Sequence, residues 1–447
     1  MKTSENEYKL IYTGIFSSLY FTQGVTQSIF TVIVPVYLLN QLGSVDTAAL
    51  SFMFSIILTP FILKLIYGLL SDKFGSKKLG RRKPWILGST SFTGIMWVVL
   101  SFLIPFLLDS NPSGIIGYIS LLGFVLILGV AISDTAMDGF ILDICPKEKL
   151  GRTTGTVWAF RSLGIIIGGP IILFLILIIQ FELILISIGI LTVLFGLLTL
   201  KIPHNTITEK VKLGKNLKSM FKKGENWKMF SFSFFMAIVD GVIFTMISLY
   251  ILVQAGVVAG EGATLDLLKK DISLYGPQAI ITLFIGVGVI LGALVGGSIA
   301  DLKTRRLSVF ISLALTALAL IFQLITAEWF VLLVFAFIIG ASSGWSNSSF
   351  SAVASEYSKK YPEATSTYYS ICTSFINFGS QIGLIIMGIV FGIVSGASID
   401  IRLSFGIIFI VMIFLSSLAL IPFLLLDRKQ YEYKLKEGFE GEHKAST

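Results

Sequence analysis

GLLSDKFGSKKLGRRKPW, residues 68–85, sets one acidic residue, Asp72, and six Lys or Arg between two long apolar stretches. Short basic loops stay on the inner face when a polytopic protein inserts, so this stretch predicts a cytoplasmic loop joining two membrane spans. The rest of the chain agrees. Its 447 residues are 55% hydrophobic and 13% charged, with a mean hydropathy of +0.88. Apolar runs of spanning length recur from end to end, far more apolar surface than a soluble domain hides. The net charge of +8 sits in short loops rather than along one face. The basic partner surface is therefore expected to be the lipid bilayer, and no nucleic acid is expected.

Segments long enough to cross ~30 Å of hydrocarbon at about 1.5 Å per residue are expected near 10–39, 47–70, 85–108, 114–144, 152–179 and 181–200. A second set follows near 229–256, 275–300, 307–326, 328–354, 365–395 and 402–426. The predicted fold class is an all-α membrane protein with twelve transmembrane helices in two six-helix bundles. The expected domains are an N-terminal bundle (1–200), a cytoplasmic linker (201–228), a C-terminal bundle (229–426) and a cytoplasmic tail (427–447). The linker, KIPHNTITEKVKLGKNLKSMFKKGENWK, is the most polar internal segment. It reads first as a solvated basic loop beside anionic lipid. The opening MKTSENEYKL runs into apolar residues without a clear cleavage site, so the first span is expected to be retained.

Of the 34 Lys and Arg, 29 fall in the two termini and the loops on one side of this alternation. Lys64 and Arg161 lie inside spans, leaving Lys269, Lys270 and Arg402 for the other side. Both termini are therefore expected to be cytoplasmic; a multi-pass monomer of the plasma membrane is the accompanying expectation. Cys145 and Cys372 have no CxxC or histidine at ligand spacing, so neither a disulfide nor a zinc site is expected. There is no GxxxxGK[ST] loop, and His204 and His443 lie in polar segments with no nucleophile nearby. No cofactor, no metal and no enzymatic activity are expected.

A weaker copy of the opening stretch appears six spans later, where Gly297-Ser-Ile-Ala-Asp301 is followed by Lys303, Arg305 and Arg306. Asp301 ends span 8 as Asp72 ends span 2, which is what two related six-helix bundles would show. The spacing of Gly68, Leu70, Ser71, Asp72, Lys73, Gly75, Lys77 and Lys78 resembles the loop 2–3 signature of the major facilitator superfamily, a transporter family. Pro60, Lys64, Asp72, Gly80-Arg81-Arg82-Lys83 and Trp85 look like the branch of muropeptide permeases, acetyl-CoA transporters and folate-biopterin transporters. Asp134-Thr-Ala-Met-Asp138-Gly139, with Gly151 and Gly164, looks like the same branch. GRRKPWILG is similar as well to glycoside and sucrose cation symporters, so two substrate classes stay open. Gly155, Gly164, Gly168, Gly169 and Pro170 resemble the antiporter motif of span 5, without its closing glycine pair. Pro170 is expected to bend the helix.

Read physically, the loop pair is a candidate conformational latch. Gly68, Asp72, Arg81 and Arg82 on one side, and Asp301 and Arg305 on the other, could hold the halves in one state and release them in another. The basic cluster could equally serve topology alone. Ionisable residues deep in spans are the next candidates, because they need a partner or a wet cavity. By helical rise Lys64 lies about 12 Å in, Asp138 and Arg161 about 14 Å, and Asp134 one turn deeper. Asp134 and Asp138 share one face at i, i+4, a repulsive pair unless cations meet them. These charges are either a structural network or a site in which Arg161 or Lys64 meets an anionic solute while an aspartate carries a proton.

Asp240, about 18 Å deep, stands apart from any cation in its own half and is the candidate ion-coupling group beside Asp134 and Asp138. Gln23, Gln27, Arg161, Trp345 and Asn347 are the candidate substrate-binding residues, with Asn377 and Gln381 given less weight. That preference rests on the resemblance, which implies that spans 1, 4, 7 and 10 line the path. Gly288, Gly292 and Gly296 read as small-xxx-small packing positions rather than a nucleotide loop. The expected function is secondary active transport of a small solute by alternating access, coupled to a proton or sodium ion. The alternative is a non-transporting assembly factor or sensor on the same fold.

Overall fold

Hydrocarbon offers no hydrogen bonds, so a chain this apolar must satisfy its backbone within each crossing segment. A computed structural model describes residues 8–203, 213–268, 273–361, 365–395 and 399–432. Among these described residues are twelve helices of spanning length and apolarity: Leu10–Leu42, Thr47–Ser71, Lys83–Ser110, Pro112–Ile144, Thr156–Ile176, Phe181–Lys201, Gly224–Thr245, Tyr275–Leu302, Arg305–Gln323, Trp329–Ser358, Thr367–Val394 and Ile401–Leu424, here spans 1 to 12. The expected count of twelve is met. Phe102, Ile178, Leu294, Phe330, Ile393 and Phe414 are exposed, as lipid-facing side chains should be.

Backbone contacts divide the chain into two compact units, one taking 1–45, 52–212 and 270–279, the other 46–51, 213–269 and 280–447. The division falls inside the expected linker. Leu213–Lys222 is helical and span 7 starts at Gly224, five residues before the expected 229. The lysines of LGKNLKSMFK mask its amphipathic pattern in a hydropathy count. Met220 is buried, and Phe221 packs on Trp227 and Phe230. Residues 204–212 lie outside the described part. The expected tail also begins inside the fold, since Asp427 caps the turn Arg428–Tyr431 and both Tyr431 and Glu432 are buried.

Several spans depart from regular α-helix where the sequence withholds a backbone donor. Pro60 sits in the 3-10 turn Thr59–Leu63, immediately before Lys64. A π-turn at Ile29–Ile33 precedes Pro35, and another at Ile167–Ile171 contains Pro170. Proline lacks the N–H that a regular turn uses, and such local rewinding accommodates it. The expected helix 229–256 is interrupted after Met236 and resumes at Asp240, with a further break at Met246. Beyond it, Val258–Glu261 and Thr264–Leu267 form an antiparallel hairpin.

Glycine rows bring particular spans into backbone contact. In the first unit a Cβ at Gly24 would collide with the Arg161 carbonyl, and one at Gly164 with the Phe21 carbonyl. In the second, Gly288 and Gly292 of span 8 meet the carbonyls of Phe337 and Ala341, while Gly340 and Gly344 of span 10 meet those of Ile285 and Val289. Gly379 and Gly383 of span 11 admit the Phe234 and Ile238 carbonyls of span 7. Without a hydrophobic force between helices in lipid, such close approach supplies the packing. It also sets the rotation of spans 1, 5, 7 and 10, and hence where their polar residues point.

Candidate functional site

Within the first unit, spans 1, 2, 4 and 5 bring their ionisable residues together. Lys64 leaves the 3-10 turn of span 2 and forms an ion pair with the Asp134 carboxylate, the two side chains being 13% and 1% exposed. The Gln23 side chain of span 1 lies near the same carboxylate, with its Oε1 buried and unpartnered. The Tyr20 hydroxyl donates to Asp138 Oδ1. The repulsion expected between Asp134 and Asp138 is thus relieved differently at each: a cation answers the first and a phenol the second.

No carboxylate among the described residues touches Arg161, although its charge acts on both Asp134 and Asp138. Its Nη2 donates to Gln27 Oε1 at 3.2 Å and its guanidinium lies over the Trp158 ring at 5.0 Å. Among the described residues no acidic side chain lies within ion-pair distance of it. Trp158 is 48% exposed and its ring centroid is 6.3 Å from that of Tyr20. A planar cation on an aromatic face, held by a neutral amide, keeps most of its donors for an incoming anion. The sequence reading passed over Tyr20 and Trp158. Their signal was helical spacing, since Tyr20 leads Gln23 and Gln27 at i, i+3 and i+7, and Trp158 precedes Arg161 by three.

In the second unit Asp240 is buried at the restart of span 7. The Ser343 hydroxyl donates to its Oδ1 at 3.3 Å, and the Asn347 side chain lies near the carboxyl. No Lys or Arg among the described residues pairs with it. Ser343 and Asn347 are themselves joined, Asn347 Nδ2 donating to the Ser343 carbonyl at 3.1 Å. Trp345 lies elsewhere: its indole N–H reaches Ser308 O at 3.2 Å and Oγ at 3.1 Å, with the ring against Gly296. Asn347 is brought to Asp240 and Trp345 is not, because two residues along a helix turn the side chain away. Gln381 is buried with its Oε1 unpartnered.

The loop residues have partners inside their own units. Arg81 Nη2 donates to Asp143 Oδ1 at 2.7 Å, and Arg82 reaches Asp143 Oδ2 at 3.3 Å and Ser71 Oγ at 2.6 Å. Gly139 has no side chain to obstruct the Arg82 guanidinium, and Gly68 faces Thr135. The side chain of Asp72 lies outside the described residues. In the second unit Arg305 donates to Glu356 Oε1 at 3.3 Å and to the Tyr431 carbonyl at 2.5 Å. Glu432 accepts the backbone N–H groups of Arg305 and Arg306 at 3.2 and 2.8 Å, as an acidic cap at a helix start should. Asp301 is exposed near the end of span 8.

Comparison with known proteins follows the same outline. A family model described as Major Facilitator Superfamily matches residues 16–268 and 262–446. "Probable folate-biopterin transporter 4" of Arabidopsis thaliana is 27% identical over 173 residues, 38% of this chain. That match spans 33% of the plant protein's length. A crystal structure of a mutant form of the nucleoside transporter NupG aligns with TM-score 0.68 and 14% identity, over 93% of this chain and 99% of that one. A bacterial homolog to the human lysosomal transporter Spinster, in an inward-facing and occupied conformation, aligns with TM-score 0.65 and 12% identity, over 94% and 98%. At these identities the structural likeness concerns the fold.

Proposed function

Because the chain belongs to the major facilitator superfamily, we propose that it is a secondary active transporter, carrying a small anionic solute with a planar ring across the membrane by alternating access. The carrying observation is Arg161, poised over Trp158 by Gln27 with no acidic partner at ion-pair distance among the described residues. Its fork suits a carboxylate or phosphate, while Trp158 and Tyr20 offer an aromatic surface to a ring. The plant relative named for folate and biopterin, molecules with planar pteridine rings, is consistent with that preference. Lys64 then holds Asp134 as a structural pair, and Asp240 is the group that gains and loses the coupling proton, with Ser343 and Asn347 stabilising its carboxyl. Arg81 and Arg82, with Gly68 and Asp72, and Arg305 with Asp301, belong to the conformational latch at the cytoplasmic ends. The acting form is a monomer of the plasma membrane with both termini cytoplasmic.

The test is uptake of labelled folate, pterin and unrelated sugars into liposomes holding the purified protein, with and without an imposed pH gradient. Gradient-driven uptake of a pteridine or other planar anion, abolished in Arg161→Ala, is the expected result. Uptake of sugars alone, untouched by Arg161→Ala, would sink the assignment. Absence of any flux together with a stable co-purifying partner would return the fold to an assembly role.

A further inference from the structure

Span 3 carries an exposed apolar stripe, Gly88, Phe92, Ile95, Val99, Phe102 and Phe106, at alternating steps of four and three residues. That period keeps to one side of a helix, so the stripe is the side that span 3 turns to lipid. Near its beginning the stripe is cut by a groove of ≈ 350 Å³ between spans 3 and 4, walled by Trp85, Gly88 and Phe92 on one flank and by Leu128 and Ile132 on the other. Two glycines shape it. Gly129 of span 4 has no Cβ to strike the Ser89 carbonyl and the Phe92 ring, so the helices come into contact there, whereas a Cβ at Gly88 would meet nothing within 4 Å.

The wall asks for no polar occupant. Its two polar side chains donate within the protein, the Ser89 hydroxyl to the Trp85 carbonyl at 2.6 Å and the Trp85 indole N–H to the Phe74 carbonyl at 2.8 Å. An empty apolar groove forfeits dispersion contacts along its wall, and a hydrocarbon chain restores them. The groove begins at Trp85, in the first turn of span 3, and reaches Phe92, about 10 Å deeper by helical rise. Tryptophan in such a place marks the headgroup level.

Cations gather at that mouth. Lys73 Nζ lies 5.2 Å from the centre of the Phe74 ring, and the Phe74 carbonyl is the one that holds Trp85. Lys77 and Lys78 are exposed on the turn that Ser76 and Gly80 close with two backbone hydrogen bonds of 2.9 and 2.8 Å. Among the described residues no carboxylate pairs with these three lysines, while Arg81 and Arg82 are taken by Asp143. Uncompensated ammonium groups at the mouth of an apolar slot complement a phosphate that carries an acyl chain.

We propose that this groove binds one anionic phospholipid, with an acyl chain against Gly88 and Phe92 and the phosphate among Lys73, Lys77 and Lys78. The site is independent of the transport reading.

The experiment is native mass spectrometry of the purified, delipidated full-length protein, titrated with phosphatidylglycerol or phosphatidylcholine of matched chains. The expected result is a first phosphatidylglycerol bound about tenfold more tightly than phosphatidylcholine. Gly88→Leu, which fills the groove without changing any charge, should weaken that binding about tenfold. Gly392→Leu, at another open glycine on span 11, should leave it intact. Lys73→Gln combined with Lys77→Gln and Lys78→Gln should bring the two lipids to equal affinity. Equal affinity in the wild type, or phosphatidylglycerol binding unchanged in Gly88→Leu, overturns the proposal. A dimer that Gly88→Leu dissolves gives the groove to a second copy of the chain and overturns it too. The wild-type comparison reads the headgroup preference even if a variant misfolds, and because no flux is measured, loss of the transport reading would not be mistaken for loss of this one.

Discussion

Lys64 and Asp134 show what an ion pair does inside a membrane bundle. Removing one partner leaves an uncompensated buried charge, whereas removing both leaves only a packing defect. Lys64→Met should therefore destabilise by about 3–5 kcal/mol, and Lys64→Met with Asp134→Leu should recover most of that loss in a double-mutant cycle on the unfolding midpoint. Additive losses would mean the contact is energetically idle. Asp240 poses the opposite case, a carboxyl beside a hydroxyl and an amide with no described cation. Asp240→Asn keeps its shape and hydrogen bonds while fixing the uncharged form. The expected outcome is transport that no longer responds to an imposed pH gradient while exchange of labelled for unlabelled solute continues; an unchanged pH profile would remove Asp240 from the coupling step. Lys64, Asp134 and Asp240 were visible in the sequence by depth, with Lys64 already a candidate cation for the Asp134 and Asp138 pair. Which aspartate Lys64 meets, and that Ser343 meets Asp240, were not, because these partners lie 70 and 103 residues apart.

Helices here are shaped by the residues that interrupt them. The 3-10 turn at Thr59–Leu63 delivers Lys64, and the restart of span 7 delivers Asp240. Pro60 announces the first of these in the sequence, whereas nothing in Ala237–Val239 is a helix breaker, so the second could only be seen in the fold. The glycine rows make the sharpest test at this scale. Gly164→Ala places a methyl against the Phe21 backbone, which cannot give way as a side chain can, and should cost about 1–3 kcal/mol. Gly392→Ala, whose Cβ would meet nothing within 4 Å, should be neutral or stabilising by up to about 1 kcal/mol. Thermal midpoints of the two variants provide the comparison, and similar values would show that the close approach of spans 1 and 5 is not needed. The amphipathic Leu213–Lys222 helix was missed for a related reason, since average polarity conceals periodicity.

For the molecule as a whole, the basic loops predict orientation. With Cys145 and Cys372 both buried and free, single cysteines introduced at Lys77 and Asp266 can be labelled in sealed vesicles. A membrane-impermeant thiol reagent should reach Lys77→Cys only from the cytoplasmic side and Asp266→Cys only from the other. Labelling of both from one side would break the alternation on which the reading of the loops rests. The paired loops were first legible as a repeated motif, Gly68 to Asp72 and Gly297 to Asp301. The structure adds that Arg81 and Arg82 share Asp143, and that Arg305 joins Glu356 and the chain segment at Tyr431.

Twelve spans, their division into two sets of six and the basic bias of one side follow from the sequence alone, because hydropathy and charge add up over neighbouring residues. Which aspartate Lys64 answers, why Arg161 is left to Gln27 and Trp158, and how Gly88 and Ile132 come to share a groove were decided only in the tertiary structure. Those contacts depend on the rotation of each helix about its own axis. That rotation is set where glycines such as Gly24 and Gly164 admit a neighbour's carbonyl, a fit between surfaces that no single segment encodes.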